Sequence, residues 1–359
     1  MDLNYKRIVI KVGSNVLTQA NGLPDLHRIE HLVEQIAAIK KQNKEVILVS
    51  SGAVAFGRSL LSVSDKCDAV ATRQLFASIG QVKLINTYSD LFKKQSLVCA
   101  QVLVTKEDFR DRLHYLNMKN CFDILIQHNV VPVINENDVI SVTELMFTDN
   151  DELAGLIASL LNADALIILS NVDGIFNGDP KNPDSKVIES IDPDFNNFSE
   201  FISAKKSQFG RGGMITKSNM AHKISRLGIA VHIANGTTEN IIDKVLKGKV
   251  TNTLFTPQKI ASGKKKWIAN SENYVTGVVR INDGAKVALT SSKASSLLPV
   301  GLIGIEKEFK KGDIIRLIDE GNHAIGLGIA EYNSEKAKER VGLKNQKALV
   351  HYDYLFLTH

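Results

Sequence analysis

Two turns rich in small residues follow the first two apolar runs of this chain, and both are suited to hold an anion. The first is Lys11-Val12-Gly13-Ser14-Asn15, and the second is Ser50-Ser51-Gly52-Ala53-Val54-Ala55-Phe56-Gly57-Arg58. Glycine lets the backbone approach a ligand, and the free amides at a helix N-terminus attract an anion such as phosphate. Two such turns could hold the two ends of one transfer reaction, although each alone also fits an ordinary strand-to-helix turn.

Two polar clusters and a glycine loop follow later in the chain. The clusters are Asn135-Glu136-Asn137-Asp138 and Thr148-Asp149-Asn150-Asp151, although Asn and Asp at such places can also be turn formers and helix caps. The loop, Gly210-Arg211-Gly212-Gly213-Met214-Ile215-Thr216-Lys217-Ser218, places a lysine at a helix start. It differs from the P-loop because threonine, not glycine, precedes the lysine. The chain has no strand-linked G-x-G-x-x-G, which weighs against a dinucleotide dehydrogenase.

The elements that must position these residues alternate between short β-branched runs and longer stretches of helical period. This alternation predicts an α/β fold, a three-layer αβα sandwich with a mainly parallel central sheet. In such sheets, ligands bind beyond the carboxyl ends of the strands, where the polar clusters occur. The predicted strands are 8–10, 46–49, 97–104, 130–134, 166–169 and 229–233, and the predicted helices are 25–44, 111–128, 151–161, 216–227 and 239–246.

The chain changes character after residue 255. Residues 1–255 hold 28 Lys and Arg against 28 Asp and Glu, whereas residues 256–359 hold 16 against 11, so the formal charge of +5 lies in the tail. Alternating runs with glycine turns predict a small β-barrel there, with a helix at the end. We therefore expect a large domain at 1–255, a linker at 256–272 and a second domain at 273–359. The runs are 275–281, 285–289, 314–318 and 324–330, and the helix is 334–341.

Composition excludes several classes of protein. Hydrophobic residues make up 44% and charged residues 23% of the 359, which is typical of a packed protein rather than a disordered one. No apolar run approaches the ~20 residues that cross a bilayer, and the start lacks a secretory signal, so we expect a cytoplasmic protein without membrane contact. Cys67, Cys99 and Cys121 lie far apart, which favours buried thiols over a disulfide framework or a zinc site.

One rival motif points to a metal. His27-Arg28-Ile29-Glu30-His31 has the H-x-x-E-H spacing of some zinc peptidases, and residues i, i+3 and i+4 share a helix face. The solvated face of an amphipathic helix explains the same residues, opposite an apolar stripe of Ile29, Leu32 and Ile36. No other segment supplies an obvious third ligand. We therefore expect no zinc chemistry.

Taken in order, these blocks resemble the glutamate 5-kinases of the amino acid kinase superfamily. The tail resembles the PUA domain of bacterial forms, through residues 295–301 and 309–313. The resemblance implies ATP-dependent phosphorylation of the side-chain carboxylate of L-glutamate to L-glutamyl 5-phosphate, the first step of proline biosynthesis. The matching blocks are Lys11-Val12-Gly13-Ser14, Ser51-Gly52-Ala53-Val54-Ala55-Phe56-Gly57-Arg58, Asn135-Glu136-Asn137-Asp138, Asp149-Asn150-Asp151 and Gly212-Gly213-Met214-Ile215-Thr216-Lys217.

The resemblance also implies residue roles. Lys11 and Lys217 would contact the transferring phosphoryl group, and Asp151 would orient them as the third catalytic residue. Asp138 would face the α-amino group of the substrate. The full implied substrate set is Ser51, Gly52, Ala53, Asn135, Asp138 and Asn150. The full implied nucleotide set is Lys11, Gly13, Ser170, Asn171, Arg211, Gly212, Gly213, Met214, Ile215, Thr216 and Lys217. The chain departs from the commoner family pattern at Thr148, Ser170, Asn171 and Arg211.

The implied chemistry has few other requirements. A glutamate carboxylate, with a pKa near ~4.3, arrives ionised at pH 7, so the reaction needs no general base and no catalytic histidine. ATP is the implied co-substrate, and Mg²⁺ is expected to be carried on the ATP phosphates without a protein metal site. The resemblance further implies a homo-oligomer, either dimer or tetramer, feedback inhibition by proline, and transfer of the labile product to a glutamyl phosphate reductase.

Two alternatives remain open. The first is an RNA-binding PUA protein whose kinase-like part is an inactive scaffold. The basic tail favours phosphate contact, but only Trp267, Tyr274 and Phe309 could stack bases, so we expect structural support or regulation of the kinase rather than RNA binding. The second is another kinase of the superfamily, acting on aspartate, N-acetylglutamate or UMP.

Overall fold

The computed structural model describes residues 3–62, 68–109, 111–141, 147, 149–179, 182–195, 213–258, 268–269, 275–291 and 295–357. The chain divides into two compact units, Met1–Ile260 and Ala261–His359. Most of the predicted linker at 256–272 lies outside the described residues, as do Cys67, Trp267 and Tyr274. The exact domain boundaries therefore remain predictions.

The large unit is built on an eight-stranded sheet that is almost entirely parallel. Its order is β3-β4-β2-β1-β5-β7-β8-β6, and only the β7–β8 pair is antiparallel among the described strands. The α/β prediction is confirmed, and all six predicted strands are present. The strands are β1 (Arg7–Val12), β2 (Glu45–Val49), β3 (Cys99–Val104), β4 (Val131–Glu136), β5 (Ala165–Ser170), β6 (Ser190–Ile191), β7 (Ala230–Asn235) and β8 (Thr253–Phe255).

Helices cover the sheet. They are α1 (Ser14–Leu17), α2 (Leu26–Lys40), α3 (Ala53–Leu60), α4 (Ala69–Lys94), α5 (Arg112–Gln127), α6 (Asn150–Leu160), α7 (Met214–Arg226) and α8 (Ile241–Leu246). Side chains of α2, α4 and α8 form one apolar core cluster with those of β1, β2 and β5. Helices α6 and α7 pack against each other, and they contact β1 and β7, respectively. The five predicted helices are present, whereas α4 was not predicted.

The central strands end at nearly the same level. Lys11, near the end of β1, is in register with Val49 of β2 and Ile168 of β5, and Val49 is in register with Ile134 of β4. The residues that follow these strands therefore meet along one edge of the sheet. This edge carries the turns and polar clusters that the sequence singled out.

In its described residues, the smaller unit contains a mixed five-stranded sheet and the helices α9 and α10. The strand order is β10-β9-β11-β12-β13, and β9 pairs with β11 in parallel. A separate apolar core lies beneath these elements. The strands are β9 (Gly277–Ile281), β10 (Leu302–Lys307), β11 (Ile314–Ile318), β12 (Ala324–Ile329) and β13 (Leu355–Leu357), and the helices are α9 (Asp283–Thr290) and α10 (Ser334–Arg340).

One strand prediction in this unit is wrong. The alternating run at 285–289 was expected to be extended, but it lies inside α9. Asn282 caps the helix by accepting a hydrogen bond from the Ala285 N–H, and such a cap favours a helix start. Of the two large apolar residues, Leu289 is buried whereas Val287 is 69% exposed. Five residues are too few to distinguish the two-residue period of a strand from the 3.6-residue period of a helix.

No described helix is both long enough and apolar enough to cross a lipid bilayer.

Candidate active site

Three charged side chains meet where β1, α6 and α7 come together. Lys11 lies near the end of β1, and Asp151 and Lys217 lie in the first turns of α6 and α7. The Lys11 Nζ is 2.7 Å from the Asp151 Oδ1, and the Lys217 Nζ binds the Asp151 Oδ2. Their side chains are 9%, 3% and 10% exposed, in the order Lys11, Asp151, Lys217. Two ammonium groups therefore share one buried carboxylate.

The charges of Lys11 and Lys217 hold Asp151 ionised. Burial favours the neutral form of Asp151, but the positive charges of Lys11 and Lys217 outweigh burial and lower its pKa to about 2. Burial also lowers the pKa of Lys11, although the carboxylate of Asp151 opposes that effect. The cluster has a net positive charge, and the N-termini of α6 and α7 add to the positive potential. Such a site attracts an anion.

Asp149 fixes the start of α6. Its Oδ1 accepts hydrogen bonds from the backbone N–H groups of Asp151 and Glu152, at 2.8 and 3.1 Å, which is an N-cap. Its Oδ2 is buried and has no hydrogen-bond partner among the described residues. Burial raises the pKa of Asp149, and the nearby Asp151 charge raises it further. The cap determines where Asp151 is presented to the lysines.

A second network surrounds the turn after β2. The Asn150 Nδ2 lies within hydrogen-bond distance of the Ser50 carbonyl (2.8 Å), the Ser51 Oγ (3.0 Å) and the Asn135 Oδ1 (3.2 Å). The Asn135 Nδ2 donates to the Gln81 Oε1 at 3.0 Å. Three residues of the predicted substrate set, Ser51, Asn135 and Asn150, are thus brought together. Gln81 was not recognised from the sequence.

The backbone of this turn is specified by glycine. Gly52 has φ +104° and caps α3, a conformation that other residues rarely adopt. Ala53 begins α3, and its carbonyl faces Gly80 of α4 so closely that a Cβ on Gly80 would lie 1.8 Å from the oxygen. The backbone of helix α4 therefore packs directly against the predicted substrate-binding turn.

Asp138, the predicted partner of a substrate amine, is bound to an arginine. The Arg73 Nε and Nη2 donate to the Asp138 Oδ1 at 3.0 and 2.6 Å. The same Nη2 is 3.5 Å from Glu136 Oε2, and the other Glu136 oxygen accepts from the Phe147 N–H at 2.8 Å. Because Arg73 belongs to α4, no local pattern indicated that it would reach the residues after β4.

The predicted nucleotide residues lie at the same edge of the sheet. The Gly13 N–H donates to the Leu169 carbonyl at 3.1 Å, which joins the turn after β1 to the end of β5. Ser170 is half-buried and Asn171 is exposed. Gly213 caps α7, and Met214, Ile215, Thr216 and Lys217 form its first turn. Arg211, Gly212 and Thr148 lie outside the described residues.

The zinc-like motif forms no metal centre in the structure. Within the described ranges, no group of three or more His, Cys, Asp and Glu side chains could hold a metal ion. Glu30 pairs with Lys94 of α4 at 2.9 Å, and His27 is exposed on α2. Ile29 and Ile36 are fully buried, as the amphipathic interpretation expects, while His31 is half-buried beside them.

Comparison with family models identifies the class of both units. Residues 6–235 match the model of the amino acid kinase family, and residues 277–351 match that of the PUA domain. The fold is also similar to a carbamate kinase from Giardia lamblia bound to AMP-PNP, with a TM-score of 0.50, 22% identity, and 71% of this chain and 99% of that one covered. An isopentenyl phosphate kinase substrate complex gives 0.51 at 20% identity, covering 70% and 99%. The large unit therefore has the amino acid kinase fold.

Full-length relatives narrow the assignment. A glutamate 5-kinase of Chlorobaculum tepidum is 53% identical over 99% of this chain and 98% of its own length. One of Bacteroides thetaiotaomicron is 50% identical over 99% and 100%, and one of Caldanaerobacter subterraneus is 38% identical over 97% and 94%. The chain belongs to the amino acid kinase family and, within it, to the glutamate 5-kinases.

Proposed function

We propose that this chain transfers the γ-phosphoryl group of ATP to the side-chain carboxylate of L-glutamate, producing L-glutamyl 5-phosphate in the first step of proline biosynthesis. One observation carries the proposal. Asn150 and Asp151, consecutive residues at the start of α6, reach two different networks, the first around the Ser51 turn and the second around Lys11 and Lys217. A single helix start thus joins an acceptor site to a phosphate site.

The two lysines would lower the electrostatic cost of the reaction. An anionic carboxylate must approach a polyanionic phosphate, so the site must offset repulsion and align the reacting atoms. Lys11 and Lys217 are the buried cations that would contact the transferring phosphoryl group. Asp151 has a pKa of about 2, so it stays ionised and would orient both ammonium groups rather than accept a proton.

The acceptor end would hold glutamate through neutral donors and one carboxylate. The Ser51 hydroxyl and the backbone of Gly52 and Ala53 would bind carboxylate oxygens, and Asn135 and Asn150 would complete the hydrogen bonds. Asp138 would bind the α-ammonium group. N-acetylglutamate has no such charge, so the enzyme should discriminate against it.

ATP would bind at the turns that follow β1 and β5 and at the start of α7. The Gly13 amide is engaged with Leu169, so the amides at the start of α1 would be the ones available to phosphate. Ser170, Asn171 and residues 211–217 would contact ATP. Mg²⁺ would be carried on the ATP phosphates, because Asp151 already binds both lysines and Asp149 caps α6.

The remaining expectations are proposals about the whole enzyme. We propose a cytoplasmic homo-oligomer, dimer or tetramer, that is inhibited by proline and supplies a glutamyl phosphate reductase. The PUA unit would support or regulate the kinase. The buried Lys11-Asp151-Lys217 cluster favours an active kinase over an inactive scaffold.

The test is an acyl phosphate assay. Purified protein, ATP and Mg²⁺ are incubated with glutamate, aspartate, N-acetylglutamate or carbamate, and hydroxylamine traps any acyl phosphate as a hydroxamate. We expect product from glutamate well above that from the other three. A preference for aspartate or N-acetylglutamate would contradict the substrate assignment, and no product from any acceptor would contradict the kinase assignment.

A further inference from the structure

The pair formed by Arg73 and Asp138 has one unused group on each partner. The two hydrogen bonds of this pair both end on the Asp138 Oδ1, and they come from the Arg73 Nε and Nη2. Within the described part of the chain, the Arg73 Nη1 and the Asp138 Oδ2 have no hydrogen-bond partner. The Arg73 side chain is 30% exposed and that of Asp138 is 10% exposed, so part of each remains open to solvent. A cationic donor and an anionic acceptor are thus available side by side.

The pair lies at the acceptor end of the site. Arg73 and Gln81 are two turns apart on α4, and Gln81 binds Asn135 within the network around Ser51. Asp138 lies in the turn after β4, three residues beyond Asn135, so their Cα atoms are at most about 10 Å apart. A five-carbon amino acid with a hydrogen bond at each end spans a similar length. A substrate whose side-chain carboxylate lies at Ser51 can therefore direct its other end to the pair.

An amino-acid head group has the complementary chemistry. The α-carboxylate matches the unused Nη1 donor of the Arg73 guanidinium, and the α-ammonium matches the unused carboxylate oxygen of Asp138. Glu136, only 4% exposed at its side chain, is a second carboxylate beside Arg73. Because Arg73 already faces two carboxylates, the pair favours a ligand with an ammonium group over a dicarboxylate that lacks one.

We propose that Arg73 is a specificity-determining residue that binds the α-carboxylate of the substrate while Asp138 binds the α-ammonium group. The pair recognises the zwitterionic head of an α-amino acid, and the Arg73–Asp138 bonds hold the two groups at the spacing of that head. This inference rests on the proposed function and extends it to a residue of α4. The neutral donors at Ser51 and Asn150 then serve only the reacting carboxylate.

The experiment uses substrates that lack one head group each. Glutamate carries both groups, 4-aminobutyrate lacks the α-carboxylate, and glutarate lacks the α-ammonium. For wild type and variants, kcat/KM is measured with each, or the inhibition constant against glutamate where turnover is slow. We expect Arg73→Gln to reduce kcat/KM for glutamate on the order of 10- to 100-fold, the effect of one charge-assisted contact, and to change the value for 4-aminobutyrate less than about 3-fold.

Asp138→Asn provides the reciprocal measurement. It should weaken glutamate and 4-aminobutyrate together while affecting glutarate least. Arg73→Lys keeps the charge but not the fork, so its glutamate value should fall between those of wild type and Arg73→Gln. Lys83→Gln is the matched control, because it removes an exposed positive charge from the same helix and should leave all three values unchanged.

The outcomes separate this inference from the proposed function. Equal proportional losses for glutamate and 4-aminobutyrate in Arg73→Gln would show that Arg73 only shapes the loop, and would overturn the inference while the kinase assignment stands. Wild-type protein that makes no acyl phosphate from glutamate would overturn both. Melting temperatures of all variants, compared with that of Lys83→Gln, identify any loss caused by misfolding. If Arg73→Gln misfolds, the ratio of kcat/KM for glutamate to that for 4-aminobutyrate in Arg73→Lys tests the inference instead: a lower ratio than in wild type supports it, and an unchanged ratio overturns it.

Discussion

Lys11 and Lys217 bind opposite oxygens of the same buried carboxylate, although they come from the first strand and from a helix late in the large unit. Each lysine therefore contacts a carboxylate that the other lysine also contacts. Their charges together keep Asp151 ionised, and the carboxylate in turn opposes the effect of burial on the pKa of Lys11. The proposed phosphate site is therefore a single three-residue unit rather than two independent cations.

The first prediction concerns the two lysines. Lys11→Met and Lys217→Met should each lower kcat by about 10²- to 10³-fold, because each removes one preorganised charge from the transition state. The KM for glutamate should change little, since the acceptor network does not include the ammonium groups. Steady-state kinetics with the hydroxamate assay measures both values.

The control for that prediction is another buried lysine. Lys40 of α2 is 9% exposed, and burial lowers its pKa, but it lies outside the site. Lys40→Met should keep kcat within about 3-fold of wild type. A loss in Lys40→Met as large as in the site variants would mean that the lysine effects reflect folding.

The second prediction concerns Asp151→Asn. Removing this carboxylate leaves two buried ammonium groups without a counter-charge, which should lower the free energy of unfolding by about 3–5 kcal/mol and also reduce kcat. The pKa of Asp151 is about 2 in the folded state against 3.8 ordinarily, so its stabilisation is present above pH ~4 and is lost as pH falls towards ~2. Urea-unfolding midpoints between about pH 5 and 2.5 should therefore fall less steeply for Asp151→Asn than for wild type.

Asp243→Asn is the comparison for this measurement. Asp243 forms an exposed pair with Lys247 on α8, and such pairs contribute ~0–1 kcal/mol. Its unfolding midpoint should follow the wild-type curve at every pH. The ion-cluster explanation fails if Asp151→Asn and Asp243→Asn show the same pH dependence.

The third prediction concerns the contact between α4 and the acceptor turn. A Cβ on Gly80 would lie 1.8 Å from the Ala53 carbonyl, and neither backbone can move without shifting the helix. Gly80→Ala should therefore destabilise the large unit by at least about 1–3 kcal/mol and raise the KM for glutamate. Thermal unfolding and substrate titration measure the two effects.

Gly304→Ala provides the matched substitution. Gly304 lies in β10 of the smaller unit, and apart from its chain neighbours no atom of the described residues lies within 4 Å of a Cβ built there. We expect unchanged kinetics and a near-wild-type melting temperature. If Gly80→Ala behaved in the same way, α4 would not be a rigid wall of the site.

The fold could be predicted largely from local patterns. Runs such as Ile8-Val9-Ile10 and Leu166-Ile167-Ile168-Leu169 are apolar throughout, and they form the buried centre of the sheet. The cap at Asp149 was also recognisable as a possible cap, because acidic residues favour helix starts. Helix α4 was missed although it is the longest of the described helices. Its Gly80 and its few fully buried residues weaken the apolar stripe, because α4 packs by close backbone contact with α3.

The site residues that could not be predicted are those brought together only by the tertiary fold. Arg73 and Gln81 have no motif of their own, and they reach Asp138 and Asn135 only because α4 runs beside the segment after β4. The sequence indicated that Asp138 would bind a cation, but not that the protein supplies one. No local period could show this, because the pairing joins residues 65 positions apart.

The last prediction concerns His232, which is buried in β7 away from the site. The Asn252 Nδ2 donates to the Val250 carbonyl, which orients the amide so that its Oδ1 accepts from the His232 Nδ1–H at 3.0 Å. The His232 Nε2 then accepts from the Tyr5 hydroxyl at 3.1 Å, as a neutral ring would. Burial lowers the pKa of His232 below its ordinary 6.5, an effect that the Asn252 hydrogen bond only partly opposes.

This environment makes folding sensitive to mild acid. Because the pKa of His232 is lower in the folded state, the unfolded chain gains a proton first, and stability should fall as pH drops below about 6.5. Urea-unfolding midpoints at about pH 7.5, 6.5 and 5.5 should decline less in His232→Gln than in wild type. Tyr5→Phe, which keeps the histidine, should retain the wild-type dependence. Burial also lowers the pKa of His222, so His232→Gln should reduce the decline without abolishing it. Parallel declines in wild type and His232→Gln would assign the acid sensitivity to other groups.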